Sequence, residues 1–235
     1  MTARWLRTAF VAVAALAVAA CSSTTAPPTA RSPGGPSTTV TTFDARLPTF
    51  SWSTESVTAA QLSASWRPGC PLPVNQLRAL DASTWGFDGR VHGGRLIVAA
   101  GEVGAVVSVL RDLFDARYEI HRMVPVDAYG GSDAASVDAD NTSAFNCRPV
   151  TGGTGWSEHA YGRAIDLNPL ENPYLSGATV LPPQSAALLD RSRTDLGMIH
   201  DGDPAVRAFA KVGWSWGGHW SGPTKDYQHF SSTGR

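Results

Sequence analysis

The segment from Ser22 to Thr42 limits what this chain can fold into. It contains Ser, Thr, Pro, Gly and Ala with only two exceptions. Such a segment cannot bury enough apolar surface to offset the entropy that ordering it would cost. It predicts a flexible tether over residues 21–50. About 185 residues follow it, which is enough for one domain with its own core, over residues 51–235.

The residues before the tether are typical of a targeting sequence. Arg4 and Arg7 precede an apolar run from Ala9 to Ala20, which is shorter than the roughly 20 residues that a membrane-spanning helix needs. We therefore predict a signal peptide over residues 1–20. The run ends in AVAAC, which resembles the lipobox of bacterial lipoproteins and implies a lipid on Cys21. The alternative is an ordinary secretion signal with an incidental cysteine.

This reading places the protein outside the cytoplasm, on the outer face of the cytoplasmic membrane or in the cell wall, held by an N-terminal lipid anchor. If Cys21 carries the lipid, Cys70 and Cys147 are the remaining cysteines, and a disulfide between them is the simplest expectation in an oxidising compartment. A catalytic thiolate is the alternative, although neither cysteine has a histidine beside it in sequence.

The charge of the chain gives no reason to expect a nucleic-acid partner. Lys and Arg number 19 against 20 Asp and Glu, and proteins that bind nucleic acid concentrate positive charge. We also expect a monomer.

Apolar periodicity predicts the central elements of the domain. Residues 94–100 favour a strand that leads into an amphipathic helix, because apolar residues then recur at intervals of three and four. Residues 118–126 alternate as a strand does. Residues 127–146 are polar and rich in glycine and predict a long loop. The apolar helix positions are Val103, Val106, Val107, Leu110, Leu113 and Phe114.

Two more helices are expected near the end of the chain. Residues 181–192 favour a short helix with prolines at its start. A longer one follows Asp203, a suitable N-cap, with Pro204 in the first turn and Gly213 at the end. Helices and strands do not alternate regularly along the chain, so the sequence predicts an α+β fold and not a doubly wound sheet.

Two polar motifs, SEHAYGRAID and WGGHWSGPTKDYQHF, together contain the parts of a catalytic zinc site. Such a site has three ligands from His, Asp, Glu or Cys and a fourth position for water. A nearby carboxylate can take the proton of that water. His159, Asp166 and His229 would be the ligands, and Asp226 the proton acceptor.

The spacing within each motif requires an irregular backbone. Residues seven apart on one strand point to opposite faces, so His159 and Asp166 could share an ion only if the chain turns between them. Gly162 can adopt the positive φ of such a turn, after which a strand would carry Asp166. Asp226 and His229 have the same parity problem, so we expect a turn or bulge at Asp226 that leads into a strand.

SEHAYGRAIDLNP and GWSWGGHWSGPTKDYQHF resemble the two signatures of the M15 family of zinc D-alanyl-D-alanine peptidases. The resemblance implies a small antiparallel sheet flanked by helices, with Zn²⁺ in a surface cleft, as in D,D-peptidases and hedgehog-like domains. It also implies hydrolysis of peptidoglycan stem peptides, with His159, Asp166 and His229 as ligands and Asp226 as catalytic base.

The family divides at the position of Asp226. Some members carry Glu there, whereas members closer to L-alanyl-D-glutamate endopeptidases carry Asp, so the chain leans toward the second branch without excluding a D,D-carboxypeptidase. The family also uses an arginine upstream of the first motif to hold the substrate. Arg148 is the first candidate for that role and Arg122 the second.

Other interpretations remain open beside the peptidase. A zinc-containing module could bind the cell wall without cutting it, and Asp226 separates the two because pure binding needs no proton acceptor. His219 is expected to be structural, and Ser157 is interpreted as a helix cap. Of Trp214, Trp216 and Trp220, two are expected in the core. A calcium-dependent adhesin is the weakest alternative, because the acidic residues within 127–140 lack calcium-loop spacing.

Overall fold

The computed structural model describes residues 48–235. The predicted signal peptide, the lipidation site at Cys21 and the tether up to residue 47 lie outside the described residues. The described part mixes helices with small, mainly antiparallel sheets, which is compatible with the predicted α+β class. None of its helices is both long and apolar enough to cross a membrane.

A three-stranded antiparallel sheet opens the described part of the chain. It contains β1 (Trp52–Ser56), β2 (Leu77–Trp85) and β3 (Val91–Ala99), in that spatial order. A 3₁₀ turn joins β3 to α1 (Val103–Asp115). The predicted strand and helix are both confirmed, and the strand begins three residues earlier than predicted. Buried residues on one face of the sheet pack in the same core as α1, and they include Leu80, Leu96 and Val98.

The predicted strand over residues 118–126 is largely wrong. Only β4 (Arg122–Met123) pairs as a strand. The flanking amides of His121 and Val124 donate to side chains instead, to Asn168 Oδ1 at 3.1 Å and to Asn141 Oδ1 at 2.9 Å. Side-chain amides therefore satisfy the backbone here, and alternation of apolar residues does not reveal them.

The predicted loop over residues 127–146 is also wrong in part, because it contains α2 (Asp133–Asp138) and β5 (Asn141–Thr142), which pairs with β4 in parallel. The Ser132 hydroxyl caps α2 by accepting from the Ala135 amide. A six-residue helix whose only buried residue is Ser136 has no apolar periodicity to predict it.

The second half of the domain carries the site on short strands. They are β6 (Ala164–Asp166), β7 (Tyr174–Ser176), β8 (Thr179–Leu181), β9 (Ser215–Trp216), β10 (Lys225–Asp226) and β11 (His229–Ser231). Two antiparallel sheets result, ordered β6-β11-β9 and β10-β7-β8. Phe230, the residue after His229 on β11, stacks on Phe209 with ring centroids 3.9 Å apart. This packing of Phe230 in the core holds the strand that carries His229.

The two later helices agree with the sequence. Residues 183–189 form a 3₁₀ helix, and α3 (Pro204–Lys211) begins after Asp203. The Asp203 carboxylate accepts from the amides of Ala205 and Val206 at 2.9 and 3.1 Å. Gly213 follows the helix with a φ of +83°.

Cys70 and Cys147 form a disulfide. It joins the segment between β1 and β2 to the residues that lead into the first polar motif, across a sequence separation of 77. The disulfide therefore lies at the edge of the region where function was predicted.

Candidate metal centre and its cleft

The first motif folds as a tight turn that ends on a strand. The Ser157 hydroxyl caps a 3₁₀ helix over Glu158–Tyr161 that carries His159. Gly162 ends this helix with a φ of +62°, and β6 follows. A Cβ on Gly162 would lie 2.6 Å from the Ala99 nitrogen, so glycine is required for both conformation and space. The predicted glycine turn is confirmed.

The second motif reaches the same place through an irregular segment. β10 ends at Asp226, Tyr227 and Gln228 follow outside any strand, and β11 begins at His229. β11 pairs with β6 so that His229 lies directly opposite Asp166. Directly opposed residues of an antiparallel pair share one face of the sheet, so this register brings the two motifs together.

Three predicted ligands converge on one point. His159 Nε2 lies 3.2 Å from Asp166 Oδ2 and 3.3 Å from His229 Nδ1, and His229 Nδ1 lies 3.0 Å from Asp166 Oδ1. All three side chains are buried. Ligands around a tetrahedral zinc with bonds of about 2.0–2.1 Å are separated by roughly 3.3 Å, so the spacing suits that ion.

The ring nitrogens that face away from Asp166 fix the orientation of the two imidazoles. His159 Nδ1 lies 2.6 Å from the Ala144 carbonyl oxygen, and His229 Nε2 lies 3.1 Å from the Arg235 carbonyl oxygen. A carbonyl can only accept, so these nitrogens donate, and when the rings are neutral the lone pairs of His159 Nε2 and His229 Nδ1 face Asp166. Two lone pairs and a carboxylate in contact repel unless positive charge lies between them. The donor set fits a divalent cation, and nitrogen with carboxylate oxygen suits zinc.

The pKa values of Asp166 and His229 also indicate that this group of side chains favours positive charge. Burial alone would raise the pKa of Asp166, but the charges and hydrogen bonds of His159 and His229 outweigh burial and hold it well below its usual range. Burial would lower the pKa of His229, but its hydrogen bond to Asp166 and the carboxylate charges raise it to about 9.

Asp226 lines the same cleft as the three predicted ligands, and its pKa is shifted in the opposite direction to that of Asp166. Burial, with the charge of Asp166 in support, raises its pKa to about 7 against the opposing charge of His229. Its Oδ1 is buried and has no hydrogen-bond partner within residues 48–235. A carboxyl group in that condition can exchange a proton near neutral pH.

Residues 151–232 match the family model described as D-alanyl-D-alanine carboxypeptidase, of the M15 peptidases. The match supports a peptidase of the M15 family. It contains His159, Asp166, Asp226 and His229, and it excludes Arg148. No curated protein and no solved structure matches the chain.

The M15-like segment forms much of a cleft of about 670 Å³ that contains the three converging side chains and Asp226. Arg148 lines this cleft, and its Nε lies 2.8 Å from Asp133 Oδ1. Arg122, the second arginine candidate, is exposed on β4 and does not line it. Other lining residues are Val150, Trp156, Tyr174, Leu181, Trp220 and Gln228.

The remaining residues that the sequence singled out are divided between the surface, the core and the cleft. His219 is at the surface, with Nε2 2.8 Å from Asp201 Oδ1. Trp214 and Trp216 are buried in the core, whereas Trp220 lines the cleft. The predicted acidic segment over residues 127–140 contributes Asp133 to the cleft wall.

Sequence reasoning missed several residues of the cleft, among them Asp133, Trp156 and Gln228. Asp133 stands in the segment that was predicted to be a loop, and Trp156 directly precedes the first motif. Gln228 stands between Asp226 and His229, and its position inside the second motif was the available signal. The other two had no signal, because their importance depends on which distant segments they face.

Proposed function

We propose that this chain is a zinc-dependent peptidase that hydrolyses peptide bonds in peptidoglycan stem peptides. The observation that carries the proposal is the convergence of His159, Asp166 and His229 in an open cleft beside the buried carboxyl group of Asp226. The M15 family match over the same segment supports it.

His159 Nε2, Asp166 and His229 Nδ1 would hold the ion. Bound zinc supplies Lewis-acid polarisation of the scissile carbonyl and acidifies a water molecule. The chain contributes the orientation of each ligand, because the carbonyls of Ala144 and Arg235 fix both imidazole rings. Burial keeps bulk water from competing for these groups.

Asp226 acts as the general base and then as the general acid. Its unpartnered Oδ1 accepts the proton of the attacking water and donates it to the leaving amine. Burial raises its pKa to about 7, so this carboxyl group takes up a proton more readily than an ordinary Asp does. A purely binding site has no use for such a group.

Arg148 orients the substrate from the cleft wall. Its guanidinium would hold a substrate carbonyl or carboxylate, in exchange for part of its ion pair with Asp133. Asp at position 226 favours an endopeptidase of the L-alanyl-D-glutamate type over a D,D-carboxypeptidase, and the products of hydrolysis decide between them.

The cleft walls are suited to small apolar side chains such as those of alanine. Among residues 48–235, five large apolar side chains are exposed, and three of them line this cleft: Val150, Trp156 and Leu181. Exposed apolar side chains gathered in one groove are typical of a binding site.

We further propose that the protein is exported and lipid-anchored through Cys21, and that it works as a monomer. The apolar run before Cys21 supports this, and the Cys70–Cys147 disulfide suits an oxidising compartment. Metabolic labelling with a fatty-acid analogue tests the anchor, since Cys21→Ala should abolish the label.

Incubation with defined muropeptides tests the enzymatic proposal. Mass spectrometry should show two products that together exceed the substrate by one water, and a chelator should suppress them. Binding of muropeptide without any cleavage would instead favour a cell-wall-binding module.

A further inference from the structure

Gln228 has a buried carboxamide whose oxygen is unused. The residue is 6 % exposed and lines the cleft. Its Oε1 has no hydrogen-bond partner in the described part of the chain. It stands between Asp226 and His229, at the point where the chain passes from β10 to β11.

The backbone carbonyl of Gln228, unlike its side-chain oxygen, has a hydrogen-bond partner. Its carbonyl accepts from the Leu167 amide at 2.9 Å and extends the pairing of β11 with β6. The strand geometry is therefore satisfied without the side chain. The side chain is not needed for this pairing and lines the cleft.

Three other buried carboxamides of the domain have hydrogen-bonded oxygens. The side-chain oxygens of Asn141, Asn168 and Asn172 each accept from a backbone amide, at 2.9, 3.1 and 2.8 Å. Burying an unpaired polar oxygen destabilises a fold, which is why such groups are rare. Gln228 departs from this pattern in the cleft, where a ligand could supply the missing partner.

We propose that Gln228 is a specificity-determining residue whose Oε1 accepts a hydrogen bond from a peptide N–H of the substrate near the scissile bond. The inference rests on the proposed function. A neutral carboxamide suits this contact because it accepts from N–H groups without adding a third negative charge beside Asp166 and Asp226. Its Nε2 can donate to a substrate carbonyl at the same time.

The test compares Gln228→Met with the wild type in the full chain. Met has a similar length and forms no comparable hydrogen bond, so the melting temperature without substrate should stay equal or rise, and zinc content should not change. The kcat/KM for a stem peptide should fall by about tenfold, as expected for one lost hydrogen bond. Gln76→Met, at an exposed position, is the matched control and should change none of these values.

Substrate analogues identify the bonded group. A series of stem peptides, each N-methylated at one amide, removes one N–H at a time. At one position methylation should cost the wild type about tenfold in kcat/KM and cost Gln228→Met little. Equal losses in both proteins at every position would overturn the inference.

A structural role gives a different result. In that case Gln228→Met would lower the melting temperature and the zinc content together with activity, and the inference would be wrong. If the wild type cuts no stem peptide, the proposed function fails separately. The Kd of the uncut peptide then decides the inference, and equal values for the wild type and Gln228→Met would contradict it.

Discussion

At the scale of single residues, Gly217 controls the position of Asp226. A Cβ on Gly217 would lie 2.4 Å from the backbone oxygen of Asp226 and 2.9 Å from its Cβ. The nearest of these atoms belongs to the backbone, so a side-chain rotation cannot relieve the clash. The glycine of the second motif is therefore required so that β10 can approach it closely.

Gly217→Ala should displace Asp226 and lower kcat by about 100-fold, because misplacing a catalytic group by about 1 Å has an effect of that size. Steady-state kinetics with a stem peptide measures it. Gly104→Ala in α1, where a Cβ meets no atom within 4 Å, is the control and should leave kcat unchanged. Wild-type kcat in Gly217→Ala would contradict the packing argument.

Asp226→Asn should lower kcat by about 10²- to 10⁴-fold, the range for loss of a general acid–base group. Zinc content should not change, since Asp226 is not one of the three converging side chains. The melting temperature at pH 8 should not fall, because burial disfavours the charged carboxylate. Metal analysis, kinetics and thermal melts on one sample give all three values, and loss of zinc would assign Asp226 a different role.

The pH dependence of kcat/KM tests the same residue. Asp226 must be deprotonated to accept a proton, so activity should rise with pH. The midpoint should lie at or below about 7, because a bound cation favours the carboxylate form. A kcat/KM that does not fall on acidification at any pH where the chain stays folded would contradict the role of Asp226.

At the scale of elements, one hairpin forms a wall of the cleft. This wall hairpin, residues 148–157, is closed by bonds from the Val150 amide to Gly155 and from the Ser157 amide to Arg148. Its base is held by the Cys70–Cys147 disulfide. Arg67 Nη1 also donates to the Cys147 carbonyl at 2.7 Å. Arg148 therefore follows directly after a covalently anchored residue.

Replacing both Cys70 and Cys147 by Ala should lower the free energy of unfolding by about 2–5 kcal/mol. The wall hairpin would lose its covalent attachment, whereas the elements that carry His159, Asp166 and His229 would not. Substrate binding should therefore weaken more than the chemical step, so KM should rise more than kcat falls, at constant zinc content. Urea unfolding and steady-state kinetics measure the two effects. An unchanged KM would show that the hairpin is held without the disulfide.

The sequence allowed prediction of elements that local patterns define. Apolar periodicity predicted α1, a cap and a proline predicted α3, and Gly162 predicted the turn between His159 and Asp166. α2 was not predicted, because it buries only Ser136 and so has no apolar periodicity. The cleft wall could not be predicted, because it is formed by α2, the wall hairpin and β8, which are distant in sequence and meet only in the folded chain.

At the scale of the whole molecule, a second carboxyl pair, buried Asp140 and half-buried Glu171, links stability to pH. Asp140 precedes β5 and Glu171 follows β6. Burial, and then the charge of Asp140, raises the pKa of Glu171 to about 8. Burial also raises the pKa of Asp140. The folded chain therefore binds a proton here more tightly than the unfolded chain does.

The contribution of Glu171 to stability should be complete below its unfolded pKa of 4.5 and lost as pH rises through about 8. Glu171→Gln removes this titration, so its unfolding free energy should fall less steeply than that of the wild type between pH 5 and 8. Urea titrations at several pH values compare the slopes. Parallel slopes would contradict the assignment.

The most direct test of the proposed metal centre is the zinc content of the purified full chain, compared between single variants. The wild type should hold one zinc ion per chain, and Asp166→Ala should lose it. His219→Ala, which removes an exposed histidine outside the cleft, should keep it. A wild type that binds no zinc, or an Asp166→Ala variant that retains it fully, would contradict the account.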